Sequence, residues 1–140
     1  MSQQGLVMGF DFGLRRIGVA IGNTLTKNAN PLPIILARQG EPNWDEVKAV
    51  IKTWRPFACI VGLPTMIDGS EQYITKASKE FAEALKNKVN LPVYLVDERL
   101  TTVEAKAQLF SEGGLKKIKQ QEVDSIAACV ILQQWLGSKS

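Results

Sequence analysis

The chain has 140 residues, 45% of them hydrophobic, with a formal charge of +3 and no histidine. That length and apolar content suit one domain, residues 1–140, with one sizeable core. The missing histidine removes Ser-His-Asp triads, Cys-His dyads, histidine zinc centres and imidazole acid–base catalysis together, so any catalysis falls to carboxylates, lysines, hydroxyls or a water activated by a cation.

The opening residues MSQQ have neither the basic nor the apolar region of a leader. No apolar run reaches membrane-spanning length, so a soluble, cytoplasmic protein without a membrane partner is expected. From Gly5 to Asn23 the chain reads as two strands joined by the tight, glycine-bearing segment FGLRR, and Pro33–Arg38 reads as a third short strand. Hairpin-connected strands therefore open the fold. Trp44, Val47, Ile51 and Trp54 fall on one helical face, Asn43 with Glu46 has the pattern of a capping box, and Pro56 stops the helix.

FACIVGLP is a short buried strand. A loop from Pro64 to Ser70 follows, then a helix lined by Ile74, Ala77, Phe81 and Leu85. Next come the strand LPVYLVDE and a helix opened by Thr101 and Glu104 and ended by Gly113 and Gly114. Leu115–Gln121 reads as a mobile basic loop before a last helix, Glu122–Leu136. Early hairpins followed by alternating units predict an α/β fold, its mixed sheet antiparallel at the start and parallel later, with helices on both faces. Cys59 and Cys129 sit in the apolar runs FACIVGL and IAACVIL and read as buried residues of a reducing compartment.

Three acids stand where apolar segments meet polar ones: Asp11, Glu98 and Asp124. Asp11 shares a strand face with Val7 and Gly9. Asp124 forms a helical row with Ala128 and Ile131, and the small Ala127 and Ala128 would let that helix approach the sheet closely. Converging carboxylates hold hard cations, and oxygen-only ligands favour Mg²⁺ or Mn²⁺ over zinc. Two such ions about 4 Å apart would activate a water and stabilise the leaving oxygen of a phosphodiester. Asp97 and Asp68 are reserve ligands, Asp97 the lesser because alternation turns it away from Glu98.

Cations accompany each acid. Arg15 and Arg16 follow Asp11, Arg99 adjoins Glu98, and Lys116, Lys117 and Lys119 precede Asp124. A phosphate backbone needs such positive charge around an anionic site. The segment Asp68–Glu71, with Ser70, opens a helix after a strand and would offer backbone N–H groups to a phosphate.

DFGLRRIGVAIG, IVGLPTMIDGSE, VDERLTT and VDSIAACVIL, in that order and spacing, closely resemble the YqgF (RuvX) family of Holliday junction resolvases across nearly the whole chain. The resemblance implies a ribonuclease H-like fold with a five-stranded mixed sheet whose first three strands are antiparallel. It also implies a nuclease whose metal ligands are Asp11, Glu98 and Asp124, with the Asp68–Ser70 loop and the nearby bases meeting nucleic acid. The implied substrates are branched DNA or structured RNA, the 5′ end of pre-16S rRNA above all, with ribosomal precursor particles as partners and a monomer or homodimer as the acting form. The earlier strand ends in Gly62-Leu63-Pro64, so three acids stand where related resolvases often use a fourth.

Two other readings compete. DFGLRRIGVAIG also looks like the phosphate-binding hairpin of actin-like and sugar-kinase ATPases, but those close two such domains around a nucleotide and this length supplies one. A noncatalytic nucleic-acid-binding or ribosome-assembly factor would keep the fold and charges and cut nothing.

Overall fold

The computed structural model describes residues 5–64, 73–97 and 120–138, with 120–124 described by their backbone. Six strands are present: β1 Leu6–Asp11, β2 Arg16–Asn23, β3 Ala29–Arg38, β4 Glu41–Pro42, β5 Ala58–Leu63 and β6 Val93–Asp97. Three helices accompany them: α1 Trp44–Trp54, α2 Tyr73–Val89 and α3 Gln120–Ser138. The sheet order is β4-β3-β2-β1-β5-β6. β1, β2, β3 and β4 pair antiparallel in succession, whereas β5 and β6 add parallel to β1. Among the described residues no helix is long and apolar enough to cross a membrane.

Strict alternation along β1 divides the core in two. Met8, Phe10 and Phe12 face a layer containing Val47 of α1 and Phe81 and Leu85 of α2. Val7 faces the opposite layer, where Ala20, Ala58 and Ile60 meet Ala128, Ile131, Leu132 and Leu136 of α3. Phe81 centres the first layer: its ring stacks with Trp44 at 5.8 Å and lies 5.1 Å from Phe12. On the other side α3 lies over β1, β2 and β3. Each large aliphatic side chain buried there contributes about 1.5–3 kcal/mol. The two cysteines are buried in different layers, Cys59 in the first and Cys129 in the second.

Local signals explain most boundaries. Asn43 caps α1, its side-chain oxygen accepting from the N–H groups of Asp45 and Glu46. Its own N–H donates to Leu36 O at 3.4 Å, so the expected reciprocal box with Glu46 gives way to a tie to β3. Arg55 ends the helix in the left-handed region at φ 52°, immediately before Pro56.

Three boundaries differ from expectation. β3 begins at Ala29 instead of Pro33, although Pro31 and Pro33 lie within it. Its pairing with β4 is confined to Ala37 and Arg38, so the prolines sit where one strand edge carries no ladder, and a register shift opposite Ile17–Val19 absorbs Pro33 and Ile34. The sheet has a sixth, two-residue strand because Gln39 (φ 51°) and Gly40 (φ 83°) reverse the chain as a tight hairpin. Finally, α3 starts at Gln120, so Gln120 and Gln121 are helical where a loop was expected. The expected helix opened by Thr101 lies outside the described residues.

Candidate active site

The three parallel strands β1, β5 and β6 end at one edge of the sheet, at Asp11, Leu63 and Asp97. In open α/β sheets the crevice beyond such carboxyl ends is where ligands bind. Asp11 pairs with Gly18 on β2, and the parallel register Phe10↔Val61, carried on by one residue, sets it beside Gly62 on β5. The half-buried Asp11 thus stands opposite a glycine at its register position on each neighbouring strand. Neither glycine was singled out from sequence for this; the signal was present as small residues recurring at every second position in Gly18-Val19-Ala20-Ile21-Gly22.

A second device brings α3 to the same edge. Gly22, the partner of Val7, lies under the ends of Leu132 and Leu136: a Cβ there would meet their Cδ1 atoms at 3.2 and 3.4 Å. A Cβ on Gly9, two residues further along β1, would meet the carbonyl oxygen of Ala128 at 3.2 Å. Moving from Val7 toward Asp11 thus moves from Leu136 toward Ala128, so α3 runs antiparallel to β1. The turn that contains Asp124, near its N-terminus, is directed toward the end of β1 that carries Asp11. Ser125 fixes the height of that turn by donating from Oγ to Leu32 O at 2.7 Å. At the far end Lys27 Nζ donates to Leu136 O at 3.2 Å, tying down the helix C-terminus.

The basic turn between β1 and β2 is equally constrained. Ala37 N–H donates to Arg15 O at 2.8 Å and Gly40 N–H to Leu14 O at 2.9 Å, so the β3–β4 hairpin holds the turn from behind. Gly13 is required there, because a Cβ would meet Arg16 O at 2.5 Å. Arg15 is exposed, and Arg16 is half-buried two residues before Gly18. On the other flank Thr75 Oγ1 donates to Pro64 O, fastening the start of α2 to the end of β5.

Val96 packs in the α3 layer, so Asp97 points off that face and is exposed. Glu98, Arg99, Asp68, Ser70, Lys116, Lys117 and Lys119 lie outside the described residues, as does the side chain of Asp124. Among the described residues no three His, Cys, Asp or Glu side chains form a metal-binding group. The surroundings of Asp11 suit a hard cation: a carboxylate at a strand end flanked by glycines, with the only thiols buried elsewhere. Burial pushes Cys59 up to about 12 and Cys129 to about 11, which keeps both as thiols and outside metal chemistry.

Residues 5–138 match the RuvX family, described as Holliday junction resolvase. A relative in Legionella pneumophila (strain Paris) is 56% identical over 133 residues, spanning 95% of this chain and 96% of its own, and carries the provisional name pre-16S rRNA nuclease. Another in Actinobacillus pleuropneumoniae serotype 5b (strain L20), with the same provisional name, is 51% identical over 133 residues, spanning 95% and 97%. Among solved structures, T. thermophilus RuvC in complex with a Holliday junction substrate is similar at TM-score 0.55 and 18% identity, over 96% of this chain and 95% of that one. The fowlpox virus Holliday junction resolvase is similar at TM-score 0.54 and 16% identity, over 95% and 99%. These likenesses show the ribonuclease H-like fold expected from the sequence.

Proposed function

The chain belongs to the RuvX family of Holliday junction resolvases, and from that premise we propose that residues 1–140 form one metal-dependent endonuclease domain that hydrolyses phosphodiester bonds in structured nucleic acid. Its reaction is maturation of the 5′ end of pre-16S rRNA, a reading supported by relatives provisionally named pre-16S rRNA nuclease. The observation that carries this reading is the packing of Ala128 over Gly9, which directs the turn of α3 that contains Asp124 toward the end of β1 that carries Asp11.

In this reading Asp11, Glu98 and Asp124 are the catalytic acids and hold Mg²⁺ or Mn²⁺. The cation would supply Lewis acidity at the scissile phosphate and lower the pKa of the attacking water. Asp11 is held at the end of β1 between two glycines. Arg15 and Arg16 bind the phosphate backbone from a turn braced by the β3–β4 hairpin. Arg99, Ser70, Lys116, Lys117 and Lys119 extend that contact along the substrate. The setting is the cytoplasm, with ribosomal precursor particles as partners and a monomer or homodimer as the acting form.

Resolution of four-way DNA junctions is the second reading, favoured by the description of the family. Cleavage of 16S precursor RNA and of matched four-way junctions, with Mg²⁺ or Mn²⁺, by wild type and Asp11→Asn tests both. Cutting of the RNA that is lost in the variant supports the first reading, and cutting confined to junctions supports the second. Binding without cutting by wild type overturns the nuclease in favour of an assembly factor.

A further inference from the structure

A second concave site lies on the face of the sheet opposite α3. It is a cleft of about 300 Å³ between the β3–β4 turn and α2, at the small end of the range for ligand pockets. Phe12, Trp44, Phe81 and Tyr73 give it aromatic walls, and Glu41 and Glu80 stand among its lining residues. Trp44 is immobilised there: Phe81 stacks on it, Lys88 Nζ lies 5.1 Å from its ring centre, and its Nε1–H donates to Glu41 Oε1 at 2.6 Å. Tyr73 is the contrast. The residue is 74% exposed, the most exposed of the large hydrophobic residues described.

Leu14 borders both this cleft and a neighbouring depression lined by Gly13, Arg15, Arg16 and Ile74. An aromatic cleft containing carboxylates thus adjoins a shallow site containing two guanidinium groups. The charges assign the two sites to different parts of one ligand. Glu41 and Glu80 repel a phosphate and accept from the N–H donors on a base edge, whereas Arg15 and Arg16 attract the phosphate.

We propose that the cleft receives an unpaired nucleobase of the substrate, with Tyr73 stacking on its face and Arg15 and Arg16 holding the phosphate beside it. A base within a duplex has both faces stacked and its pairing edge occupied, so only an unpaired base fits this chemistry. Tyr73 is then a specificity-determining residue that selects substrates with a single-stranded step. The inference rests on the nucleic-acid reading above and adds a preference within it.

The test is fluorescence anisotropy with two dye-labelled RNA duplexes, one blunt and one with a short single-stranded tail, against wild type, Tyr73→Ala and Tyr73→Phe. Stacking on one aromatic ring corresponds to about 5- to 150-fold in Kd. Tyr73→Ala should weaken binding of the tailed duplex by that factor and leave the blunt duplex unchanged, while Tyr73→Phe keeps the wild-type preference. The exposed position of Tyr73 spares the fold in both variants. If Tyr73→Ala binds the tailed duplex as wild type does, or weakens both probes equally, the cleft is not a base site although the nuclease reading stands. If wild type binds neither probe, the RNA reading itself fails, and this inference with it.

Discussion

Gly9 and Leu132 leave no room between them for a methyl group: a Cβ on Gly9 would lie 2.5 Å from Leu132 Cγ. Leu132 is fully buried in the α3 layer and has no free direction in which to yield. Gly9→Ala should therefore push α3 off the sheet and cost about 1–3 kcal/mol, as overpacking does. Leu132→Ala should cost about 2–5 kcal/mol through the cavity it leaves. The double variant should lose at least about 0.5 kcal/mol less than the two single losses combined, because the alanine at 9 fills part of that space. Urea unfolding of the four proteins measures this, and strict additivity would show that α3 does not rest on Gly9.

Chelation separates cutting from binding. Treatment with EDTA should suppress cleavage by at least about 100-fold, since each group that stabilises the transition state is worth about that much. Restored Mg²⁺ or Mn²⁺ should recover it, while nucleic-acid binding at the same ionic strength persists through the basic residues. Cleavage that continues undiminished in EDTA would remove the carboxylate–metal mechanism.

The arginine turn and the lysine segment are read by salt dependence. Each phosphate contact adds about 0.9 to the slope of log Kobs against log salt on duplex DNA. Arg15→Ala with Arg16→Ala should flatten that slope by about 1–2, and Lys116→Ala with Lys117→Ala should do the same. Affinity that drops with an unchanged slope would assign these residues to folding or shape and not to phosphate.

Alkaline pH should weaken the fold through its cysteines. Burial raises Cys59 from 9.0 to about 12 and Cys129 from 9.0 to about 11. The folded state thus holds those protons more tightly than the unfolded chain does. The associated stability is fully present below pH 9, falls as pH rises, and is lost by the time the folded values are passed. Denaturant unfolding at pH 8 and pH 10.5 should show the decline, and Cys59→Ala with Cys129→Ala should lessen it. An equal decline in that variant would place the cause in other groups.

Periodicity and punctuation made most of this fold legible. Alternation placed Val7, Gly9 and Asp11 on one face of β1, and Asn43 and Pro56 bracketed α1 because caps and stops are local chemistry. What sequence hid depends on partners distant in the chain. Pro31 and Pro33 argue against a strand until it is known that β3 carries an unladdered edge. β4 exists only because Gln39 and Gly40 fold it back on Ala37 and Arg38. In the candidate site, Asp11 was legible as a strand-end acid, whereas the flanking Gly18 and Gly62 emerged only from the pairing of β2 and β5 with β1. Tyr73 read as the unremarked start of a helix, since nothing local sets it against the β3–β4 turn.

The arrangement of α3 also makes it a lever. Its apolar hold on the sheet runs from Ala128 to Leu136, with the Lys27 bond at the far end and the Ser125 bond to Leu32 O beside Asp124, which stands eight residues, or about 12 Å, before Leu132. A tilt of about 5° about Leu132 would carry Asp124 by about 1 Å, a displacement that can cost about a hundredfold in rate. The tolerance of the acidic site is thereby shared between the Ser125 bond and two glycines and a leucine that touch no substrate, and a loss of hydrolysis with intact binding is the signature to seek in variants of that distant contact.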